Sequence, residues 1–151
     1  MKILPGSTLG MLGGGQLGRY AVMAAATMGY RTMVLDPDPS APAGVVANEH
    51  LVAPYDDPQS LRRLSFECDV VTTEFENPPA AALDELEATV LVAPSSASVR
   101  IAQDRIAEKT FISGLGIAVP DFHPAAFLEE LEEAVSHIAR PAVLKTRRFG
   151  Y

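Results

Sequence analysis

The sequence predicts an α/β fold organised around a parallel sheet. Two patterns and one strand carry that expectation. Across the first hundred residues, short β-type runs alternate with longer runs of helical period. Most of the β-type runs end in a turn signal built from Gly, Pro or Asp-Pro. The run Thr89 to Val92 is short enough to be buried on both faces of a parallel sheet.

Taken in order, Thr8 to Leu12 is the first strand and runs into Gly13, Gly14 and Gly15. A helix from Gln16 to Met28 follows, with Leu17, Ala21, Ala24 and Met28 expected on its buried face and Gly29 stopping it. Arg31 to Leu35 is the second strand. Pro37, Pro39 and Pro42 make the next stretch an extended loop, because each proline removes a donor and biases its predecessor away from helix. A weak strand over His50 to Ala53 leads to a helix over Pro58 to Glu67 that buries Leu61, Leu64 and Phe66. Asp69 to Glu74 is the fourth strand. Asn77 reads as an N-cap before Pro78, opening a helix to Ala88, and Thr89 to Val92 closes the series. Beyond Pro94 the texture changes. Serines lead two helical runs, Ala97 to Ala102 and Asp104 to Ser113, and the predicted domains are 1–100 and 101–151. In the second, Ala118 to Phe122 and Ala142 to Lys145 are expected strands flanking an acidic helix over Ala126 to Ile138.

Composition narrows the function classes. The 151 residues include 12 Lys+Arg against 19 Asp+Glu, a net charge of -7, so the whole chain has no electrostatic pull toward nucleic acid or anionic lipid. Three of those cations, Lys145, Arg147 and Arg148, crowd the last seven positions against the overall sign. The single cysteine, Cys68, excludes an internal disulfide and, with His50, His123 and His137 scattered, gives no metal-ligand spacing; this usage suits a reducing cytoplasm. The apolar stretch after Lys2 holds Pro5 and six glycines up to Gly18, a poor secretory leader, and no run of about 18 apolar residues could span a membrane.

Gly13, Gly15 and Gly18 satisfy G-x-G-x-x-G between a strand and a helix, with Asp36 at the end of the next strand. Glycines allow a tight turn, and the exposed amides and dipole of a helix N-terminus attract phosphate or carboxylate. The motif therefore specifies an anion more firmly than a dinucleotide. Gln16 and Arg19 in the first turn suit hydrogen bonding to a smaller ligand, and Asp36 is either a ribose ligand or a turn carboxylate before Pro37. Glu74 and Glu76, two apart at a strand end, share a face while the strand persists, and two carboxylates near the glycine loop suggest a substrate with hydroxyl or amino groups. Lys145, ending an apolar run, is a phosphate-ligand candidate that Arg147, Arg148 and Gly150 would extend; Arg105 opens a helix.

Together Gly13-Gly14-Gly15-Gln16-Leu17-Gly18-Arg19, Asp36-Pro37-Asp38, Thr72-Thr73-Glu74-Phe75-Glu76, Gln103-Asp104-Arg105 and Val143-Leu144-Lys145-Thr146 with Gly150-Tyr151 resemble the ATP-grasp superfamily. Within it, they resemble the 5-(carboxyamino)imidazole ribonucleotide synthase family of purine biosynthesis, in its N-terminal part. The resemblance implies a Rossmann-like pre-ATP-grasp domain over 1–100 and the start of an ATP-grasp domain over 101–151. It implies that Arg105, Lys145, Gly150 and Tyr151 contact ATP, that Gln16, Leu17 and Glu74 hold 5-aminoimidazole ribonucleotide, and that Gly13, Gly15 and Gly18 shape a phosphate loop. Such a ligase uses ATP and Mg²⁺ to activate bicarbonate as carboxyphosphate, and its relatives are commonly cytoplasmic homodimers. Its catalytic residues, its metal ligands and most of the ATP-grasp domain are expected outside these 151 residues, so this chain alone is not expected to turn over. Alternatives from other classes are an NAD(P)-binding module of a dehydrogenase or sensor, resting on the glycine motif and Asp36, and a non-catalytic interaction scaffold. Another ATP-grasp ligase, such as a formate-dependent glycinamide ribonucleotide transformylase, is a close relative.

Overall fold

The structure, a computed structural model, describes residues 2–138 and 141–150. The chain divides into two compact units, 1–100 and 101–151. The first carries a five-stranded parallel sheet in the order β3-β2-β1-β4-β5, formed by β1 (Thr8–Leu12), β2 (Arg31–Leu35), β3 (Glu49–Leu51), β4 (Val70–Thr73) and β5 (Leu91–Val92). The connections are α1 (Gln16–Thr27), α2 (Pro58–Glu67) and α3 (Ala80–Glu87), followed by α4 (Ser96–Ala102). Parallel neighbours require crossovers, and the helices supply them.

The sheet has a core on each face. Leu12, Leu35, Leu61, Leu64, Val71, Leu83 and Leu86 form the larger, under α2 and α3. Met11, Val22, Val34 and Ala43 form the smaller, under α1. Each fully buried leucine contributes about 1.5–3 kcal/mol relative to an exposed one. Helix α2 starts at Asp57, whose carboxylate accepts the Ser60 N–H at 2.7 Å, with Pro58 in the first turn. Helix α1 stops at Gly29, whose φ of 84° is the left-handed geometry of a helix C-terminus.

Several expectations are corrected. Helix α1 buries Gly18, Val22 and Ala25, while Leu17, Ala21, Ala24 and Met28 face outward. Gly18 sets that face: a Cβ there would stand 3.1 Å from the Gly13 carbonyl oxygen, so the helix meets β1 through its glycine and not its leucine. Phe66 is exposed, because α2 turns Leu61 and Leu64 inward. Prolines 78 and 79 delay α3 to Ala80, with Pro79 at the N-cap position and no side-chain cap. Strand β5 is a two-residue edge strand with Leu91 exposed, not a run buried on both faces.

The second unit holds α5 (Arg105–Gly114) and α6 (Leu128–His137). Residues 118–122 and 142–145 are not strands. A strand needs a neighbour for its N–H and C=O groups, and the structure pairs neither segment, leaving Val143 and Leu144 exposed. None of the residues of α5 is buried, and α6 buries only Ala134.

Gly10, in the middle of β1, lies in close contact with α2 and β4. A Cβ there would stand 3.0 Å from Cys68 Sγ, Leu64 Cδ2 and Val71 Cγ2. Gly10→Ala is therefore expected to overpack the larger core at a cost of about 1–3 kcal/mol. Urea denaturation should show a lower midpoint with an unchanged slope.

Candidate functional site

Strand register builds the first site. Leu12 is level with both Leu35 and Thr73, so the residues that follow, Gly13, Asp36 and Glu74, leave the sheet together at its carboxyl edge. Backbone bonds from Gly13 N–H to Leu35 O (3.0 Å) and from Glu74 N–H to Leu12 O (2.9 Å) fix that level. Strand order reverses across β1 here, where open parallel sheets form their ligand crevice.

The glycine loop at this edge is held by two carboxylates. Gly14 N–H donates to Asp36 Oδ2 at 2.7 Å, and Gly15 N–H donates to Glu74 Oε2 at 2.5 Å. Gly15 is the N-cap residue of α1 and has no side-chain acceptor of its own, so Glu74 supplies from another strand what a capping-box glutamate supplies locally. The glycines are required by this approach. A Cβ at Gly15 would stand 2.6 Å from Glu74 Oε1, one at Gly14 3.0 Å from Asp36 Cβ, and one at Gly13, whose φ is 103°, 2.9 Å from the Phe75 ring. The loop amides at 14 and 15 are thus already occupied by protein anions.

Asp36 is 9% exposed, and both its oxygens are used: Oδ1 accepts the Asp38 N–H at 2.9 Å, and Oδ2 also accepts the Tyr55 hydroxyl at 2.8 Å. It is a loop anchor, not an outward ribose ligand. Tyr55 was not singled out by the sequence, and its ring packs edge-on against Phe75 with centroids 5.9 Å apart. Burial and the Asp36 hydrogen bond push the Tyr55 phenol up, keeping it a donor. Strand β4 ends at Thr73, whose Oγ1 donates to Phe75 O at 2.6 Å, so the alternation expected to align Glu74 with Glu76 does not extend that far. Gln16 and Leu17 are exposed in the first turn of α1, and Glu74 is half-buried.

The second site lies wholly within residues 101–151. Gln103, Asp104 and Arg105 grip the segment after Lys145: Arg148 Nη2 donates to Gln103 Oε1 at 2.9 Å, Arg147 Nε to Asp104 Oδ2 at 2.6 Å, and Arg105 N–H to Arg147 O at 3.1 Å. Asp104 also caps α5, accepting the Ile106 and Ala107 amides at 3.0 and 3.2 Å. A Cβ on Gly150 would stand 2.5 Å from Arg105 Nη2, so that glycine admits the guanidinium. Arg105, Lys109, Lys145 and Arg147 share a cleft of about 580 Å³ with apolar walls that include Phe122 and Leu144. Lys145 reaches this cleft from an exposed irregular segment, not from the end of a buried strand. Tyr151 lies outside the described residues.

Burial pushes the Cys68 thiol up to about 12, so it is not a thiolate nucleophile near neutrality. Among the described residues no cluster of three His, Cys, Asp or Glu side chains could hold a metal ion, and no helix is long and apolar enough to cross a membrane.

Comparison with known families decides what this arrangement belongs to. The signature of the ribonucleotide synthetase preATP-grasp domain matches residues 6–103. The chain belongs to this preATP-grasp family. It is 46% identical over 150 residues to N5-carboxyaminoimidazole ribonucleotide synthase of Brucella melitensis biotype 1, covering 99% of this chain and 41% of that protein. It is 44% identical to the synthase of that name from Pseudomonas aeruginosa, covering 95% of this chain and 39% of that one. Among solved structures, the Staphylococcus aureus N5-carboxyaminoimidazole synthetase complexed with ADP superposes with a TM-score of 0.94 at 36% identity, over 99% of this chain and 40% of that one. The Aspergillus clavatus synthase in complex with ADP and 5-aminoimidazole ribonucleotide superposes with a TM-score of 0.85 at 30% identity, over 95% of this chain and 39% of that one. The chain therefore spans about two fifths of the length of these relatives, and the preATP-grasp match covers most of its own. The dinucleotide, scaffold and transformylase readings gain no support from these relatives.

The Arg147 guanidinium, followed by the Ala107 and Ile106 amides, holds the Asp104 carboxyl below the usual carboxylate range. A depressed folded value means that the contact stabilises above the unfolded value, near 4, and is lost as pH falls through the lower folded one. Amide shifts of Ile106, Ala107 and Arg147 are expected to titrate together in that acid window. Asp104→Asn should abolish the transition and leave the first unit unchanged.

Proposed function

We propose that the chain is the N-terminal part of an ATP-dependent carbon-nitrogen ligase that carboxylates the exocyclic amine of 5-aminoimidazole ribonucleotide with bicarbonate. The observation that carries this reading is Glu74, held by the Gly15 N–H at the crevice of the switch point. The amides at 14 and 15 are occupied by protein carboxylates, so a substrate phosphate at this loop would meet the first-turn amides of α1 instead. A carboxylate with one hydrogen bond keeps acceptor capacity, so the crevice offers an acceptor to an amine or hydroxyl. Gln16 and Leu17, exposed beside it, complete the ribonucleotide contacts, and Gly13, Gly15 and Gly18 give the loop its shape.

In the reaction, a bicarbonate oxygen attacks the γ-phosphorus of ATP and ADP departs, leaving carboxyphosphate. The amine nitrogen then bonds to the carboxyl carbon, phosphate departs and the nitrogen loses a proton. Glu74 orients the amine by accepting one of its N–H bonds. In the second unit Arg105 and Lys145 neutralise the ATP phosphates, with Gly150 beside them. The cationic cleft with apolar walls suits a nucleotide. Mg²⁺, when bound, would add neutralising charge at the ATP phosphates, with its protein ligands expected outside these 151 residues. The full enzyme, on this reading, is a cytoplasmic homodimer.

Isothermal titration of the 151-residue chain tests the reading. Binding of 5-aminoimidazole ribonucleotide and of ATP is expected; binding of NADH in their place would overturn it. Glu74→Gln should weaken the ribonucleotide about tenfold through loss of a charge-assisted bond while leaving ATP affinity unchanged.

A further inference from the structure

Asp36 and Tyr55 are not accounted for by the substrate contacts above, yet they are built into the loop that carries them. The Asp36 carboxylate is buried and takes three donors: Gly14 N–H, Asp38 N–H and the Tyr55 hydroxyl. An Asp-Pro turn alone explains only the Asp38 bond. The other two run across the sheet edge, from α1's loop and from the loop between β3 and α2. Tyr55 also reaches the glycine loop by a second route. Its ring packs on Phe75, and the Phe75 ring lies where a Cβ on Gly13 would stand, 2.9 Å away. Glu74 immediately precedes Phe75, so the two routes bracket it: Asp36 holds Gly14, Phe75 backs Gly13, and Glu74 sits on Gly15.

We propose that Tyr55 and Asp36 are positioning residues for the ribonucleotide site, in which the Tyr55 hydroxyl orients Asp36, Asp36 sets the Gly14 amide, and the loop so shaped aims Glu74 at the substrate amine. This rests on the reading of Glu74 given under the proposed function. A phenol held as a donor and a carboxylate with every oxygen engaged leave the loop one conformation, so the contact geometry exists before substrate arrives. Tyr55 touches no ligand itself; it acts only through Asp36 and Phe75.

The test is Tyr55→Phe in the 151-residue chain, which keeps the ring against Phe75 and deletes only the hydroxyl. Amide exchange and ¹H–¹⁵N shifts of Gly14 and Gly15 are read by NMR, and the Ile106 and Ala107 amides of the second unit serve as the internal reference. Exchange at Gly14 is expected to speed up about tenfold, and affinity for 5-aminoimidazole ribonucleotide to fall about five- to twentyfold, with ATP affinity and the reference amides unchanged. Asp36→Asn should move the same signals further in the same direction. Unchanged Gly14 and Gly15 amides in Tyr55→Phe would overturn the positioning role whatever the binding data show. An altered Gly14 amide in a chain whose wild type does not bind the ribonucleotide would instead uphold the effect on the loop and overturn the assignment of the substrate.

Discussion

Two carboxylates anchoring a run of three glycines are the constraint on which the first unit depends. The amides of Gly14 and Gly15 point into the sheet edge, where an unpaired N–H is costly, and Asp36 and Glu74 satisfy them from neighbouring strands. For that to happen, β1, β2 and β4 must end on one level, and the register that places Leu12 beside Leu35 and Thr73 delivers it. The same approach leaves no room for a side chain at 13, 14 or 15, and the close packing of Gly18 on Gly13 O turns α1 so that Val22 and Ala25 face inward. Register, glycine positions and helix orientation are consequences of one packing requirement.

That arrangement also alters what a glycine-rich turn means chemically. Such a turn with free amides is an anion cradle. With a protein carboxylate on each of two amides, it becomes a shaped support for an acceptor. Asp36 spends its charge inside the protein, and Glu74 remains beside the crevice. A dinucleotide reading drawn from Gly13, Gly15, Gly18 and Asp36 thus loses the two loop amides and the Asp36 carboxylate it rests on, and Glu74 is the group that the proposed function assigns to the substrate amine.

The second unit is held by different forces. Its helices bury little beyond Ala134, and the segment 147–150 is secured by Gln103, Asp104 and Arg105 through charged and polar contacts. Arg147 is mostly exposed, so its pair with Asp104 is weakened by water and salt. The pairing nevertheless brings Arg105, Lys145 and Arg147 into one cleft, which a linear count of cations near residue 145 does not by itself place beside Arg105.

The sequence by itself determined the alternation of strands and helices, the ends of β1 and β2, the position of the glycine loop and the proximity of Asp36 and Glu74 to it. These follow from period and from glycine and proline, all of which act over a few residues, whereas the cap expected at Asn77 is absent and the one at Asp57 was not singled out. It did not determine which face of α1 is buried, because the apolar stripe through Leu17 and Met28 outweighs Gly18 in any count of hydrophobicity while Gly18 alone permits contact with β1. Nor did it reveal Tyr55, whose role depends on a hydroxyl meeting Asp36 across 19 residues of chain, or show that residues 142–145 are irregular. Only the tertiary structure decides such matters. A strand exists when a neighbour takes its hydrogen bonds, and a carboxylate becomes an anchor or a ligand according to the donors that reach it.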